Sequence, residues 1–169
     1  MLITLRFIHV LFGVFWAGTA MFTAIFLIPS IRALGPAGGP VMQQIAQVRK
    51  LPVYFMGAGF LTVLSGLALY WRDSAGFTNG FMRSGGGMTF GIGAALAILA
   101  MAVGLAVASP AAKRAGALGA TIAAGGKPPS PEQMAEMQKL QERAGKASAL
   151  GALLLTLTTI AMAVARYIP

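Results

Sequence analysis

Four long apolar stretches constrain the fold of this chain more than any other feature of its sequence. They cover residues 2–31, 51–71, 88–108 and 147–168, and none of them contains an acidic residue. A helix rises about 1.5 Å per residue, so about 20 apolar residues are enough to cross about 30 Å of hydrocarbon. Each stretch reaches that length. The sequence therefore predicts an all-α fold, an integral membrane four-helix bundle.

Composition excludes several other classes of protein. Charged residues make up 10% of the 169 residues and hydrophobic residues 57%, whereas soluble domains carry about 25% charged residues. This excludes a soluble enzyme domain and a disordered chain. The absence of cysteine from the sequence excludes disulfides, thiolate zinc sites and iron–sulfur clusters. The net charge of +9 indicates cytoplasmic loops beside anionic lipid, and we expect no nucleic-acid partner.

Two segments rich in Gly and Pro predict turns between the spans. GPAGGP at residues 35–40 predicts the end of the first helix, and the VMQQIAQVRK that follows is expected to continue as a helix into the second span. GGKPPS at residues 125–130 predicts the second turn. Ser130 is a favourable N-cap, and Gln133 completes a capping-box pattern. A helix that begins after Ser130 is therefore predicted to run unbroken into the fourth span.

The predicted architecture is a single domain, residues 1–169, made of two long antiparallel helical hairpins. The hairpins cover residues 1–71 and 88–168, and a short Gly-rich segment joins them. Their helices are expected to extend beyond the membrane over about residues 32–50 and 110–146. Pro110 is expected to kink the third helix where it leaves the membrane.

The positions of lysine and arginine predict the orientation. Nine lie in the linkers between spans 1 and 2 and between spans 3 and 4, and four lie on the opposite side. The nine are Arg32, Arg49, Lys50, Lys113, Arg114, Lys127, Lys139, Arg143 and Lys146, and the four are Arg6, Arg72, Arg83 and Arg166. Cytoplasmic loops carry an excess of these residues. We therefore expect a multi-pass protein of the bacterial inner membrane with both termini in the periplasm.

Helical periodicity predicts which residues face the interior of the bundle. In the first span, His9, Gly13, Trp16, Ala20 and Thr23 fall in one narrow stripe. Small residues and a few larger ones also share a face on each of the other spans. These are Gly59, Gly66 and Tyr70 on the second span, Gly93, Ala97, Ala100 and Gly104 on the third, and Gly151, Thr158 and Met162 on the fourth. Small residues let helices approach closely in lipid. One interpretation is a close-packed bundle that binds no ligand.

His9 is the only histidine of the chain and lies inside the first span. Ionisable side chains within a span usually face the bundle interior and often mark function. Two interpretations follow. His9 is either a ligand for a cofactor, or an uncharged residue hydrogen-bonded to a Thr hydroxyl or a backbone carbonyl.

Residues expected at a similar depth could complete a cofactor site. An imidazole, thioethers and a rim of arginines could hold a b-type haem, with His9 on the iron and arginines paired with the propionates. The same imidazole and thioethers could hold Cu(I), which favours sulfur. The candidate metal ligands are His9, Met88 and Met162, and the further candidate cofactor-binding residues are Gly13, Trp16, Tyr70, Arg6, Arg72, Arg83 and Arg166.

The segment HVLFGVFWAG, residues 9–18, resembles the first helix of a group of small bacterial membrane proteins. Four-helix proteins of the copper-resistance CopD type carry a His, a Trp seven residues on and then a Gly, as in His9, Trp16 and Gly18 here. The HemJ-type protoporphyrinogen oxidases look similar at this place. The resemblance implies a haem or copper role for His9. HemJ-type proteins also depend on a basic residue in the third helix, which residues 88–108 lack, so oxidase activity is a minority interpretation.

Ordinary hydrolytic or phosphoryl-transfer chemistry is not expected. All three glutamates, Glu132, Glu136 and Glu142, lie in the linker before the fourth span. The leading hypothesis is a membrane protein that binds a b-type haem or similar redox centre through His9 and serves electron transfer. The alternatives are a cofactor-free accessory subunit of a membrane complex, and copper binding or transport. Expected partners are the lipid bilayer, a membrane or redox protein, and a second copy of the chain.

Overall fold

The computed structural model describes residues 2–126 and 128–169, and within them the regular structure is entirely helical. Lys127, one of the nine predicted cytoplasmic cations, lies outside the described residues. Four helices are long and apolar enough to cross a membrane: α1 (Leu2–Ala33), α3 (Leu51–Asp73), α4 (Gly85–Ala124) and α5 (Pro131–Tyr167). A shorter helix, α2 (Gly38–Gln43), lies between α1 and α3. The predicted all-α fold with four long apolar helices is confirmed.

The chain between α1 and α3 contains two breaks. α1 ends at Ala33, just before Gly35, whose φ of +53° lies in the left-handed region that glycine adopts at little cost. This confirms the turn predicted from GPAGGP. α2 continues as a π-helical turn, Gln44–Val48, and the chain breaks again at Lys50, with φ 53° and ψ 31°.

The expectation that the helix after the first turn runs into the second span is therefore wrong. α3 begins afresh at Leu51, with Pro52 in its first turn. In a continuous helix, Pro52 would lack an N–H for the carbonyl of Val48 and its ring would clash with that carbonyl. At the start of a helix neither cost arises.

Prolines inside the long helices are accommodated by π-helical turns. α4 contains the turn Gly104–Ala108 and continues past Pro110 to Ala124. α1 contains the turn Thr23–Leu27, two residues before Pro29. A proline cannot donate to the carbonyl four residues earlier, and a local π-helical turn changes the hydrogen-bond register at that point. At Pro110, where the sequence predicts a kink, the helix continues directly after this turn.

The fourth apolar helix begins well before its span, as predicted. Ser130 Oγ accepts a hydrogen bond from the Gln133 amide at 3.2 Å, and Gln133 Oε1 accepts one from the Ser130 amide at 2.9 Å. This capping box satisfies two amides at the start of α5. The helix is then unbroken over 37 residues, which corresponds to roughly 55 Å.

The closest packing joins α1 to α3 and α4 to α5, and α1 also contacts α5. Between α4 and α5, Gly93 meets Met162 and Gly119 meets Met137, so the residue numbers of one helix fall as those of the other rise. Most residues buried between the helices are small. The buried core cluster consists of Trp16, Ala17, Ala20, Ala58, Ala97, Ala100, Ala152, Leu154 and Leu155.

Candidate functional site

His9 lies between α1 and α3 and is bound to the backbone of α3. Its Nδ1 is 2.8 Å from the carbonyl oxygen of Thr62. A carbonyl oxygen only accepts hydrogen bonds, so Nδ1 carries the hydrogen and donates it. In an uncharged imidazole this leaves Nε2 with a lone pair, and Nε2 is then the nitrogen able to bind a metal or to accept a hydrogen bond.

The sequence of α3 makes room for this ring. A Cβ on Gly66 would lie 2.7 Å from Cε1 of His9 and 3.0 Å from its Nδ1, so a larger residue at position 66 would displace the imidazole. The hydroxyl of Thr62 donates to the Ala58 carbonyl at 2.7 Å. That of Ser65 donates to the Leu61 carbonyl at 2.5 Å, with the Thr62 carbonyl 3.1 Å away. Both hydroxyls are thus directed to their own helix, which leaves the Thr62 carbonyl as the partner of His9.

The Nε2 atom of His9 is accessible. His9 is half-buried, and its hydrogen bonds among the described residues all involve Nδ1. No side-chain nitrogen or oxygen of those residues is both buried and without a partner. Because Nε2 makes no hydrogen bond there, it must retain exposed surface.

Three residues of the predicted stripe of the first span, His9, Gly13 and Trp16, contact α3. Gly13 faces the methyl group of Thr62, which a Cβ at position 13 would meet at 3.4 Å. Trp16 is 4% exposed, lies against Gly59 and packs edge-on against Phe55 with ring centroids 6.3 Å apart. His9, Gly13 and Trp16 therefore contact α3 in order, one helical turn after another.

Tyr70 and Met88 lie where α3 meets α4. The Tyr70 hydroxyl donates to the Gly87 carbonyl at 3.2 Å, and a Cβ on Gly91 would lie 3.2 Å from the same hydroxyl. Met88 is 52% exposed. Tyr70 thus connects α3 to α4, and its ring packs against Phe77 and Phe81 of the segment between them, with centroids 6.3 and 5.6 Å apart.

Met162 and the arginines occupy further separate positions. The methyl group of Met162 would lie 3.0 Å from a Cβ on Gly93, beside the Thr158 hydroxyl, which donates to the Gly93 carbonyl at 3.3 Å. Arg166 stacks over the ring of Tyr167 at 5.1 Å. The other arginines of the predicted rim are Arg6, Arg72 and Arg83, and all of them are exposed.

His9, Tyr70 and Met162 thus lie at three different helix contacts, and the four predicted arginines are exposed. Among the described residues, no group of three or more His, Asp or Glu side chains is placed to hold a metal ion. His9 has the geometry of a single-nitrogen ligand, and the contacts of Met162 and Tyr70 lie on other helix pairs.

Sequence reasoning missed the residue that positions His9. Gly59 and Gly66 were correctly placed on one face, and they receive Trp16 and His9. Thr62 lies on the same face, three residues after Gly59, and periodicity could have included it. Its contribution is a backbone carbonyl, however, and every residue has one.

Comparison of the chain with protein-family models, with curated proteins and with solved structures gave no match. The resemblance of His9, Trp16 and Gly18 to CopD-type and HemJ-type proteins rests on those three residues of α1. Two of them, His9 and Trp16, contact α3, whereas a Cβ on Gly18 would meet nothing within 4 Å.

Proposed function

We propose that the chain is an integral membrane protein whose four long helices form a bundle of two antiparallel hairpins. The support is the distribution of apolar side chains. Large hydrophobic residues cover the outside of the helices, for example Ile3, Phe7 and Val14 at 83%, 63% and 69% exposure, while alanines and glycines lie between the helices. This pattern suits a lipid solvent, in which close packing of small residues rather than hydrophobic burial joins helices.

Within that bundle, His9 is proposed as the single protein ligand of a redox centre, with a b-type haem as the candidate. The observation that carries the proposal is the hydrogen bond from Nδ1 to the Thr62 carbonyl. Imidazoles that ligate metals usually donate their other N–H to a carbonyl or carboxylate, which fixes the ring and the tautomer. Thr62 performs that role here, and Nε2 is the atom that would reach the iron.

A bound haem would supply one-electron chemistry, which suits electron transfer in the membrane. The protein's own contribution would be to orient His9 through Thr62 and to leave space for the ring at Gly66. No second protein ligand is assigned, because Met162 packs against Gly93 and Met88 lies half-exposed on α4.

A cofactor-free accessory subunit is the second candidate. The close packing of Gly13, Trp16 and Gly59 along the same contact favours it, because these residues join α1 to α3. In that case His9 serves only as a hydrogen-bonded connection between two helices. Copper binding has less support, since Cu(I) prefers several soft ligands and His9 supplies one nitrogen.

A pair of substitutions at His9 separates these functions. The amide nitrogen of Asn occupies nearly the place of Nδ1, so His9→Asn keeps a donor for Thr62 and removes Nε2. His9→Ala removes both. With the wild-type protein purified in mild detergent from cells supplied with haem, we expect a Soret band that shifts on reduction. Both variants should lose the band, and only His9→Ala should lose stability, by about 1 kcal/mol for the hydrogen bond.

Other outcomes assign the other functions. Full haem content in both variants would exclude His9 as the ligand. A colourless wild-type protein with stoichiometric copper by metal analysis would indicate the copper function. A wild-type protein with neither, in which His9→Asn is as stable as wild type and His9→Ala is not, would indicate the accessory subunit.

A further inference from the structure

A groove lies between α4 and α5 at the level where both helices change from apolar to polar sequence. Val103 and Val107 of α4 with Ala147 and Leu150 of α5 form its apolar part, and Lys139, Arg143 and Lys146 of α5, together with the carboxylate of Glu142, form its basic part. The apolar span of α5 begins at Ala147, so the two parts lie on opposite sides of the predicted membrane boundary.

The π-helical turn of α4 forms one wall of the groove. Val103 immediately precedes the turn Gly104–Ala108, and Val107 lies within it. A π-helical turn interrupts the regular ridge of side chains on a helix. Gly104 carries no side chain, and a Cβ there would meet nothing within 4 Å. Val107 is the residue of this turn that lines the groove.

The basic part of the groove has an excess of positive charge. Lys139, Arg143 and Lys146 follow a spacing of four and three residues, which places them on one face of α5. Glu142 pairs with Lys146 at 2.7 Å, and no carboxylate of the described residues lies within 4.0 Å of Lys139 or Arg143. Two cations of the groove are thus left for an external anion.

A further cation near the groove, Arg32 at the end of α1, contacts α5 from its other face. Its Nη2 lies 3.5 Å from the Gln141 carbonyl oxygen, and its guanidinium occupies the space beside Gly145. Arg32 therefore lies at the same level of α5 as Lys139 and Arg143, but it contacts the opposite face of that helix and does not line the groove. Two helices, α1 and α5, bring positive charge to this level of the molecule.

We propose that this groove binds an anionic phospholipid. Lys139 and Arg143 would contact the headgroup phosphate, and Val103, Val107 and Leu150 would contact the upper part of an acyl chain. Arg143 and Leu150 are seven residues apart, about 10 Å along the helix axis, which suits the distance from a phosphate to the first methylene groups. Basic pockets between membrane helices on the cytoplasmic side recognise anionic headgroups in this way.

A lipid fits both parts of the groove, whereas a free anion would leave the apolar part uncovered. The inference rests on the proposed membrane insertion of the helices and does not depend on His9. The lipid experiment can therefore overturn the lipid site while the proposal for His9 stands, and the haem experiment can overturn the role of His9 while the lipid site stands.

The test compares lipid retention by two matched variants. Each protein is transferred to nanodiscs with equal amounts of phosphatidylglycerol and phosphatidylcholine, and the lipids that remain bound after return to detergent are counted by native mass spectrometry. Lys139→Gln with Arg143→Gln removes the two groove cations. Lys113→Gln with Arg114→Gln removes two exposed cations of α4 that do not line the groove.

We expect wild type and the α4 variant to retain phosphatidylglycerol in preference to phosphatidylcholine. The groove variant should retain roughly tenfold less phosphatidylglycerol, with an unchanged helical circular dichroism spectrum. Equal retention by the groove variant, or no preference in wild type, would overturn the proposal. Displacement of the lipid by excess inorganic phosphate would also overturn it, since the site would then recognise the anion alone.

Membrane insertion is checked on the same preparations by extraction of the membranes at alkaline pH. A protein that is released into the supernatant would overturn both the insertion of the helices and the lipid site. A protein that stays in the membrane without a preference for phosphatidylglycerol would overturn only the lipid site.

Discussion

The two ring nitrogens of His9 have different roles: Nδ1 connects two helices through a hydrogen bond, and Nε2 makes no hydrogen bond among the described residues. The bond from Nδ1 to the Thr62 carbonyl joins α1 to α3, and it would be present whether or not Nε2 binds a cofactor. For this reason His9→Ala alone is ambiguous, and the comparison with His9→Asn is needed. A Gly13→Leu variant would be ambiguous as well. Its larger side chain would press on Thr62, whose carbonyl accepts this hydrogen bond.

Gly59 provides a test of the packing between α1 and α3. A Cβ at position 59 would lie 2.9 Å from Cε2 of Trp16, and that indole is rigid and nearly fully buried. We expect Gly59→Ala to destabilise the protein by about 1–3 kcal/mol, even though alanine favours a helix by about 1 kcal/mol over glycine. Thermal unfolding in detergent measures the change.

Gly57→Ala is the matched control, since it lies two residues away on the same helix and its Cβ would meet nothing within 4 Å. That variant should be as stable as wild type or slightly more so. If the two alanine variants are equally stable, close approach of Trp16 is not what requires glycine at position 59.

At the scale of the helix, α5 shows how local signals determine an end. Its first turn is fixed by Ser130 and Gln133, and Glu132 accepts a hydrogen bond from the Ser130 hydroxyl at 2.7 Å. That hydrogen bond lowers the pKa of Glu132, and a carboxylate in the first turn also suits the helix dipole. All of these groups lie within a few residues of one another, which is why the sequence predicted this helix start correctly.

The pair of Glu142 and Lys146 predicts a pH dependence of the helical extension of α5. The hydrogen bond and the charge of Lys146 lower the pKa of Glu142. Because the pKa is lower in the folded protein, the stabilisation is complete above the ordinary pKa of Glu and is lost as the pH falls through the lowered value. The pair is exposed to solvent, so the effect on stability is small.

Carboxyl carbon chemical shifts in an NMR titration measure this pKa directly. Lys146→Ala should raise the pKa of Glu142 toward the ordinary value. Lys139→Ala removes a cation of the same helix that is not paired with Glu142 and should leave the pKa close to that of the wild type. An equal rise in both variants would mean that general positive charge, and not the pair, lowers the pKa.

At the scale of the whole molecule, the distribution of charge predicts the orientation in the membrane. The chain has no cysteine, so single cysteines can be labelled selectively. Gly39 and Gly80 are suitable positions, because both are exposed and a Cβ meets nothing within 4 Å. Gly125 serves for the second turn, where the nearest atoms would be carbonyl oxygens at 3.5 Å.

We expect a membrane-impermeant thiol reagent to label Gly39→Cys and Gly125→Cys from the cytoplasmic side and Gly80→Cys from the periplasmic side. The reason is that nine Lys and Arg residues lie in the two linkers that form one side of the molecule and only four lie on the opposite side. Labelling of Gly80→Cys from the cytoplasmic side, with the other two from the periplasmic side, would reverse the orientation and place the proposed lipid groove in the outer leaflet.

The sequence by itself determined the features that depend on neighbouring residues. Span length, the break at Gly35 and the cap at Ser130 are all local, because hydrophobicity, backbone freedom and capping act within a few residues. The predicted small-residue faces hold in part, since Gly59, Gly66 and Gly93 meet neighbouring helices whereas a Cβ on Gly104 or Gly151 would meet nothing within 4 Å. The prediction of a continuous helix from α2 into α3 was wrong for a local reason too, because Pro52 favours the start of a new helix at Leu51.

Only the tertiary structure decided which faces meet and at what register. Periodicity places His9 on a stripe, but it does not give the neighbouring helix or the depth at which the two helices align. The partner of His9 is a backbone carbonyl, which every residue possesses, and the contact of Met162 with Gly93 depends on how α4 and α5 are aligned along each other. These contacts join residues 53 and 69 positions apart, and packing in three dimensions selects them from many that the sequence permits equally.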